Sequence, residues 1–220
     1  MGAVGGVSAV LEALRRLKVI PLVVIDDAGK ADVLARALVD GGLPCAEIAF
    51  RTPGAAEALR RIATEHPDLL VGAGTVLTSD QAAEARRSGA KFVVSPGLSP
   101  GVVGYCRTHG VPLFPGVCTP TEIGAALDLG LRVLKFFPAE PAGGLPYLQA
   151  ISAPFPDVEF IPTGGISADN LAAYLACKGV VACGGSWMAP RAWIEAGDFD
   201  RIRRAVEQAV QLAHAPAQGS

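Results

Sequence analysis

VIPLVVI (residues 19–25) is short, apolar and rich in β-branched residues, the composition of a strand buried on both faces. Ala31 to Val39 follows at helical spacing, and Cys45 to Phe50 (CAEIAF) is a second short apolar run. Strand, helix, strand in this order predicts parallel pairing with a helix laid over the sheet. The same rhythm extends outward in both directions. Val7 to Leu17 reads as an amphipathic helix before the first strand. Beyond the second strand, strands are expected at Leu69–Gly72, Phe92–Ser95, Val111–Phe114, Val133–Phe137, Phe160–Pro162 and Val180–Cys183. Helices fall between them at about 55–66, 81–88, from 101, 121–129 and 145–151, on to 176, and at 199–213. Eight strand candidates, nearly all followed by a helix, predict an α/β fold: a single (β/α)8 barrel of the TIM type with an additional N-terminal helix. A doubly wound sheet is the structural rival. One domain is expected over residues 1–220, with residues 1–17 as the extra helix and 215–220 as a loose tail.

Composition excludes several classes. Half of the 220 residues are hydrophobic and 18% are charged, which argues against disorder and coiled coil. Nineteen Lys+Arg against 21 Asp+Glu leave a charge of -2, so no nucleic-acid partner is expected. No run of apolar residues is long enough for a membrane span. The five cysteines contain no CxxC pair and the three histidines lie outside every motif, so no metal is expected and a cytoplasmic location is.

Polar residues collect where the strands end. In a barrel these positions converge on the carboxyl face, where active sites form. Lys135 interrupts the apolar run from Arg132 to Pro138 (RVLKFFP), and alternation puts Val133, Lys135 and Phe137 on one face. Burial disfavours a charged amine, and a neutral amine attacks ketones to form Schiff bases. A lysine snorkelling from a strand end is the plainer reading. Glu47, among apolar neighbours, is the natural proton-transfer partner, with a structural pair to Arg51 as its alternative. Arg51 and Thr75 offer a planar donor fork and a short hydroxyl suited to a carboxylate. Thr163-Gly164-Gly165 and Gly184-Gly185-Ser186, at consecutive strand ends, suggest a backbone cradle for phosphate, with Ser186 at the start of a short helix.

The segments GGLPCAEIAFRT, VGAGTV, VVSPGLSP, LFPGVCTPTE, LKFFPAE, PTGGIS and CGGSW occur in order from residue 41 to residue 187. In these the chain resembles the 2-keto-3-deoxy-6-phosphogluconate and 4-hydroxy-2-oxoglutarate aldolases. The resemblance implies a trimeric class I aldolase that needs no metal or organic cofactor. It would split 2-dehydro-3-deoxy-6-phospho-gluconate into pyruvate and glyceraldehyde 3-phosphate. It makes Lys135 the Schiff-base residue and Glu47 the general acid/base. Arg51 and Thr75 would bind the pyruvyl carboxylate, and Pro96, Phe137 and Thr163 would shape the pocket. Gly164, Gly165, Gly184, Gly185 and Ser186 would hold the phosphorylated end. Some relatives carry a basic residue after the first strand, whereas this chain has Asp26 and Asp27, which are expected to turn away from a phosphate. Unphosphorylated hydroxy-oxo acids and oxaloacetate decarboxylation are the alternative chemistry. A phosphate-binding barrel without catalysis is the alternative of a different class.

Overall fold

The computed structural model describes residues 2–215, so most of the tail expected at 215–220 lies outside the described residues. The strands are β1 Val19–Val23, β2 Cys45–Ala49, β3 Leu70–Gly74, β4 Val93–Val94, β5 Leu113–Phe114, β6 Gly116–Val117, β7 Val133–Phe136, β8 Glu159–Pro162 and β9 Cys183–Gly185. The helices are α1 Gly2–Leu17, α2 Ala31–Asp40, α3 Ala55–Glu65, α4 Ser79–Arg87, α5 Pro100–His109, α6 Pro120–Asp128, α7 Gly144–Ser152, α8 Leu171–Leu175, α9 Arg191–Ala196 and α10 Phe199–His214. A 3-10 turn, Ala28–Lys30, follows β1. Among the described residues no helix is long and apolar enough to cross a membrane.

All the strand pairs are parallel. They run as two hydrogen-bonded sheets, β5-β4-β3-β2-β1-β9 and β6-β7-β8. The strand expected at Val111–Phe114 is therefore split in two. Pro115 separates β5 from β6 because it has no N–H to donate. Its carbonyl accepts instead from Lys135 N at 2.8 Å. On the other side, isolated bridges Phe160–Val180 and Thr163–Gly184 join the β8 segment to the β9 segment.

The sheets curl around one interior. Ile20, Cys45, Phe92, Val94, Phe114, Ile161, Val181 and Ala182 form a buried apolar cluster near the amino ends of the strands, and Leu14 of α1 plugs it. Alternate residues such as Ile48, Ala73, Leu134 and Phe136 point outward into a second apolar layer under the helices. Helix starts are fixed locally, which keeps the loops at the carboxyl ends short. Thr78, Ser99 and Thr119 cap α4, α5 and α6, and Thr119 and Glu122 form a reciprocal capping box.

Candidate active site

Lys135 and Glu47 are both charged side chains inside this fold, 4% and 2% exposed. They come from β7 and β2, which are not neighbours in either sheet. Yet Lys135 Nζ lies 3.5 Å from Glu47 Oε1. The strand alternation read for Lys135 holds, with Val133 on the inner cluster and Leu134 and Phe136 in the outer layer. Removing two charges from water is costly, and their mutual attraction compensates only when they meet closely. Glu47 Oε1 accepts no hydrogen bond among the described residues, so a lone pair remains to take a proton. Gly74, across the β2–β3 ladder, makes room for it: a Cβ there would overlap the Glu47 carboxylate.

Glu47 is thus paired with Lys135, and Arg51 goes elsewhere. Its Nε donates to Thr75 Oγ1 at 3.0 Å, joining the ends of β2 and β3. Thr75 has φ 55°, a left-handed conformation that a β-branched residue adopts only when its surroundings impose it. The result is a cationic fork and a hydroxyl held side by side at the rim, the donor set for a carboxylate. Phe137 borders the amine, with Lys135 Nζ 5.0 Å from its ring centroid. Pro96 is half-buried, and its carbonyl lies against Gly116, the residue in register with Lys135. Cys45, two residues before Glu47, is no rival nucleophile. Full burial, reinforced by the Glu47 charge, pushes its thiol far above the ordinary range.

The glycine motifs are brought together by the Thr163–Gly184 bridge. Thr163 is 4% exposed, and Gly164 and Gly165 have φ of 99° and 85°, which restricts both to glycine. Two details differ from the sequence expectation. Gly184 and Gly185 belong to β9 itself, paired with Ile20 and Pro21, so the strand runs later than expected. Ser186 is exposed in a turn and does not start a helix; α9 begins at Arg191.

Both acidic residues after β1 are engaged. Asp27 caps the following 3-10 turn, accepting from Gly29 N at 2.8 Å. Asp26 Oδ2 lies 2.8 Å from Arg191 Nε, which also contacts Glu195 at 2.7 Å. The Asp26–Arg191 pair was not legible in the sequence, because no motif links residues at such a distance. His66 gathers with Asp32 and Glu65, a group of possible ligands that sequence spacing does not show. That group is accounted for by the His66–Asp32 hydrogen bond at 2.8 Å and the Arg36–Asp32 ion pair.

A model of the KDPG and KHG aldolase family matches residues 10–205. A 2-dehydro-3-deoxy-phosphogluconate aldolase of Treponema pallidum (strain Nichols) is 50% identical over 203 residues, 92% of this chain and 97% of its own. Among solved structures, the KDPG aldolase of Legionella pneumophila, with pyruvate captured at low pH as a covalent carbinolamine intermediate, superposes with a TM-score of 0.87. It is 39% identical, over 91% of this chain and 97% of its own. The 2-keto-3-deoxy-6-phosphogluconate aldolase of Zymomonas mobilis ZM4, solved with 3-phosphoglycerate, has a TM-score of 0.87 and 38% identity over 95% of this chain and 98% of its own.

Proposed function

The chain belongs to the KDPG and KHG aldolase family, and we propose that Lys135 and Glu47 carry its chemistry. It is a class I aldolase that cleaves 2-dehydro-3-deoxy-6-phospho-gluconate to pyruvate and glyceraldehyde 3-phosphate. The observation that carries the residue assignment is the buried approach of Lys135 Nζ to Glu47 Oε1 at 3.5 Å.

Lys135 passes a proton to Glu47 and its neutral Nζ attacks the C2 ketone; Glu47 then gives the proton to the carbinolamine hydroxyl, which leaves as water to give an iminium ion. Arg51 and Thr75 hold the C1 carboxylate, so the ketone is presented to the amine in a fixed orientation. Glu47 takes the proton of the C4 hydroxyl, directly or through one water, and the C3–C4 bond breaks. Its electron pair moves into the iminium, which becomes an enamine, and glyceraldehyde 3-phosphate leaves. Glu47 then returns a proton to C3. Hydrolysis of the resulting iminium releases pyruvate and the free amine. Phe137 and Pro96 wall the pocket beside the amine. Backbone N–H groups around Gly164, Gly165, Gly184, Gly185 and Ser186 receive the phosphate.

The engagement of Asp26 and Asp27 supports the phosphorylated substrate over shorter hydroxy-oxo acids. Asp27 is spent on its cap, and Arg191 offsets the charge of Asp26. A catalytically inert binding barrel is disfavoured by the buried amine–carboxylate pair, which phosphate binding does not need.

The architecture we infer is one domain closed as a single (β/α)8 barrel, with α1 at its amino end. Three features support closure: β5 and β6 are one chain segment shared by both sheets, bridges join β8 to β9, and Lys135 meets Glu47 across the interior. A homotrimer is the assembly proposed, and the free cysteines support the cytoplasm as its location.

The test is steady-state release of pyruvate from the phosphorylated aldol and from its unphosphorylated counterpart. A higher kcat/KM on the phosphorylated substrate is expected. A ratio near one would reject phosphate selection in favour of the shorter substrates.

A further inference from the structure

Glu140 follows the Lys135 strand and reaches into the glycine loop of the next unit. Ala139 N donates to Thr163 O at 2.8 Å and Glu140 N to Gly164 O at 2.9 Å, so the ladder of β7 and β8 continues past the strand ends. The stem of Glu140 occupies the place a side chain at 165 would take: a Cβ on Gly165 would stand 2.5 Å from Glu140 Cβ. The Glu140 carboxylate accepts from the Tyr174 hydroxyl at 2.5 Å. Tyr174 is 1% exposed on α8, and its backbone N donates to Asn170 O at 3.2 Å. Asn170 completes the circuit. Its Nδ2 donates to Gly165 O at 3.1 Å, while its Oδ1 accepts from Ser167 N at 2.9 Å.

Two consecutive glycines at positive φ, Gly164 and Gly165, lose more conformational freedom on ordering than other residues would. Both carbonyls are gripped, Gly164 O by the Glu140 backbone N–H and Gly165 O by the Asn170 side chain, and Tyr174 is hydrogen-bonded to both gripping residues. An anion held by backbone N–H groups depends on where those groups point, and small displacements weaken it. Burial, then the bond to Glu140, push the Tyr174 phenol well above its ordinary range, which favours its protonated, donating form.

We propose that Glu140, Tyr174 and Asn170 form a clamp that positions Gly164 and Gly165 for the distal phosphate, and so set the preference for phosphorylated over unphosphorylated substrate. The proposal rests on the phosphate-cradle reading above. These three are positioning residues, remote from the imine chemistry at Lys135.

The experiment compares kcat/KM on 2-dehydro-3-deoxy-6-phospho-gluconate and on its unphosphorylated counterpart, with borohydride trapping of pyruvate as a second readout. Tyr174→Phe keeps the ring and removes only the hydroxyl. A charge-assisted hydrogen bond lost from the clamp is expected to lower the phosphorylated-to-unphosphorylated ratio about tenfold, through KM. Trapping of pyruvate and turnover of the unphosphorylated substrate should stay at wild-type level. Glu140→Gln, which still accepts the tyrosyl hydrogen, should keep most of the ratio. Should Tyr174→Phe fail to fold, Asn170→Ala opens the other grip and should lower the same ratio. Equal losses on both substrates, or an unchanged ratio, would overturn the clamp. A wild-type ratio near one would overturn the phosphate reading as well, whereas a high wild-type ratio unmoved by the variants would overturn the clamp alone.

Discussion

The strands of this protein end in two different environments. At their amino ends Leu14, Ile20, Phe92, Phe114 and Val181 close into an apolar plug, in which Phe92 and Phe114 lie 5.9 Å apart between ring centroids. At their carboxyl ends Lys135, Glu47, Arg51, Thr75 and Thr163 gather, with one carboxylate oxygen buried and unbonded. The first end gains stability from packing and does no chemistry. The second accepts burial of two charges, an arrangement that contributes little to stability but suits the nucleophile and base proposed for it. Substitutions should divide along the same line, rate at one end and stability at the other.

The largest effect should follow Lys135→Met, which keeps the length of the side chain and removes the amine. No turnover above background is expected, together with a fall in Tm, because removing the amine leaves Glu47 buried without its partner. The double variant Lys135→Met with Glu47→Gln removes both charges and should recover most of that Tm without turnover, whereas a double variant as unstable as the single one would mean that the pair serves the fold and would blur the division. Glu47→Gln comes next. Loss of the base should lower kcat by roughly 10²- to 10⁴-fold, with pyruvate still bound. Near-normal kcat would remove Glu47 from proton transfer.

The other end is probed by Leu14→Ala. Cavity formation should cost about 2–5 kcal/mol of stability and leave kcat/KM unchanged. A matching loss of rate, in enzyme shown to be folded, would tie the plug to the site and break the comparison. Arg51→Lys keeps the charge and loses the planar fork. We expect KM to rise by about tenfold with kcat nearly constant, measured on the phosphorylated substrate.

Much of this division was legible in the sequence. Short apolar runs located β1 and β2 to within two residues, because their environment is set by burial on both faces. Alternation alone turned Lys135 inward, and the apolar flanks of Glu47 pointed to its burial. Other features had no local signal. The split at Pro115 depends on pairing with two different neighbours, which spacing does not encode. Gly184 and Gly185 read as a loop, since glycine pairs usually mark turns, yet their bonds to β1 place them in a strand. The partners Lys135 with Glu47, Arg51 with Thr75 and Asp26 with Arg191 are tertiary, and only the first two were reached through the chemistry they would share.

The smallest effect is expected at the edge of the polar end. Asp26→Asn removes a carboxylate whose pair with Arg191 is exposed on both sides, 40% and 56%. Such a pair contributes little, so kcat/KM on the phosphorylated substrate should rise by less than about fivefold. A fall would show that Asp26 serves the site by holding Arg191.

The assignment of the amine is open to the most direct measurement. Pyruvate and borohydride, followed by peptide mass spectrometry, should yield one reduced adduct, on the peptide containing Lys135. An adduct mapped reproducibly to Lys18, Lys30, Lys91 or Lys178, or no adduct in enzyme that turns over, would contradict it.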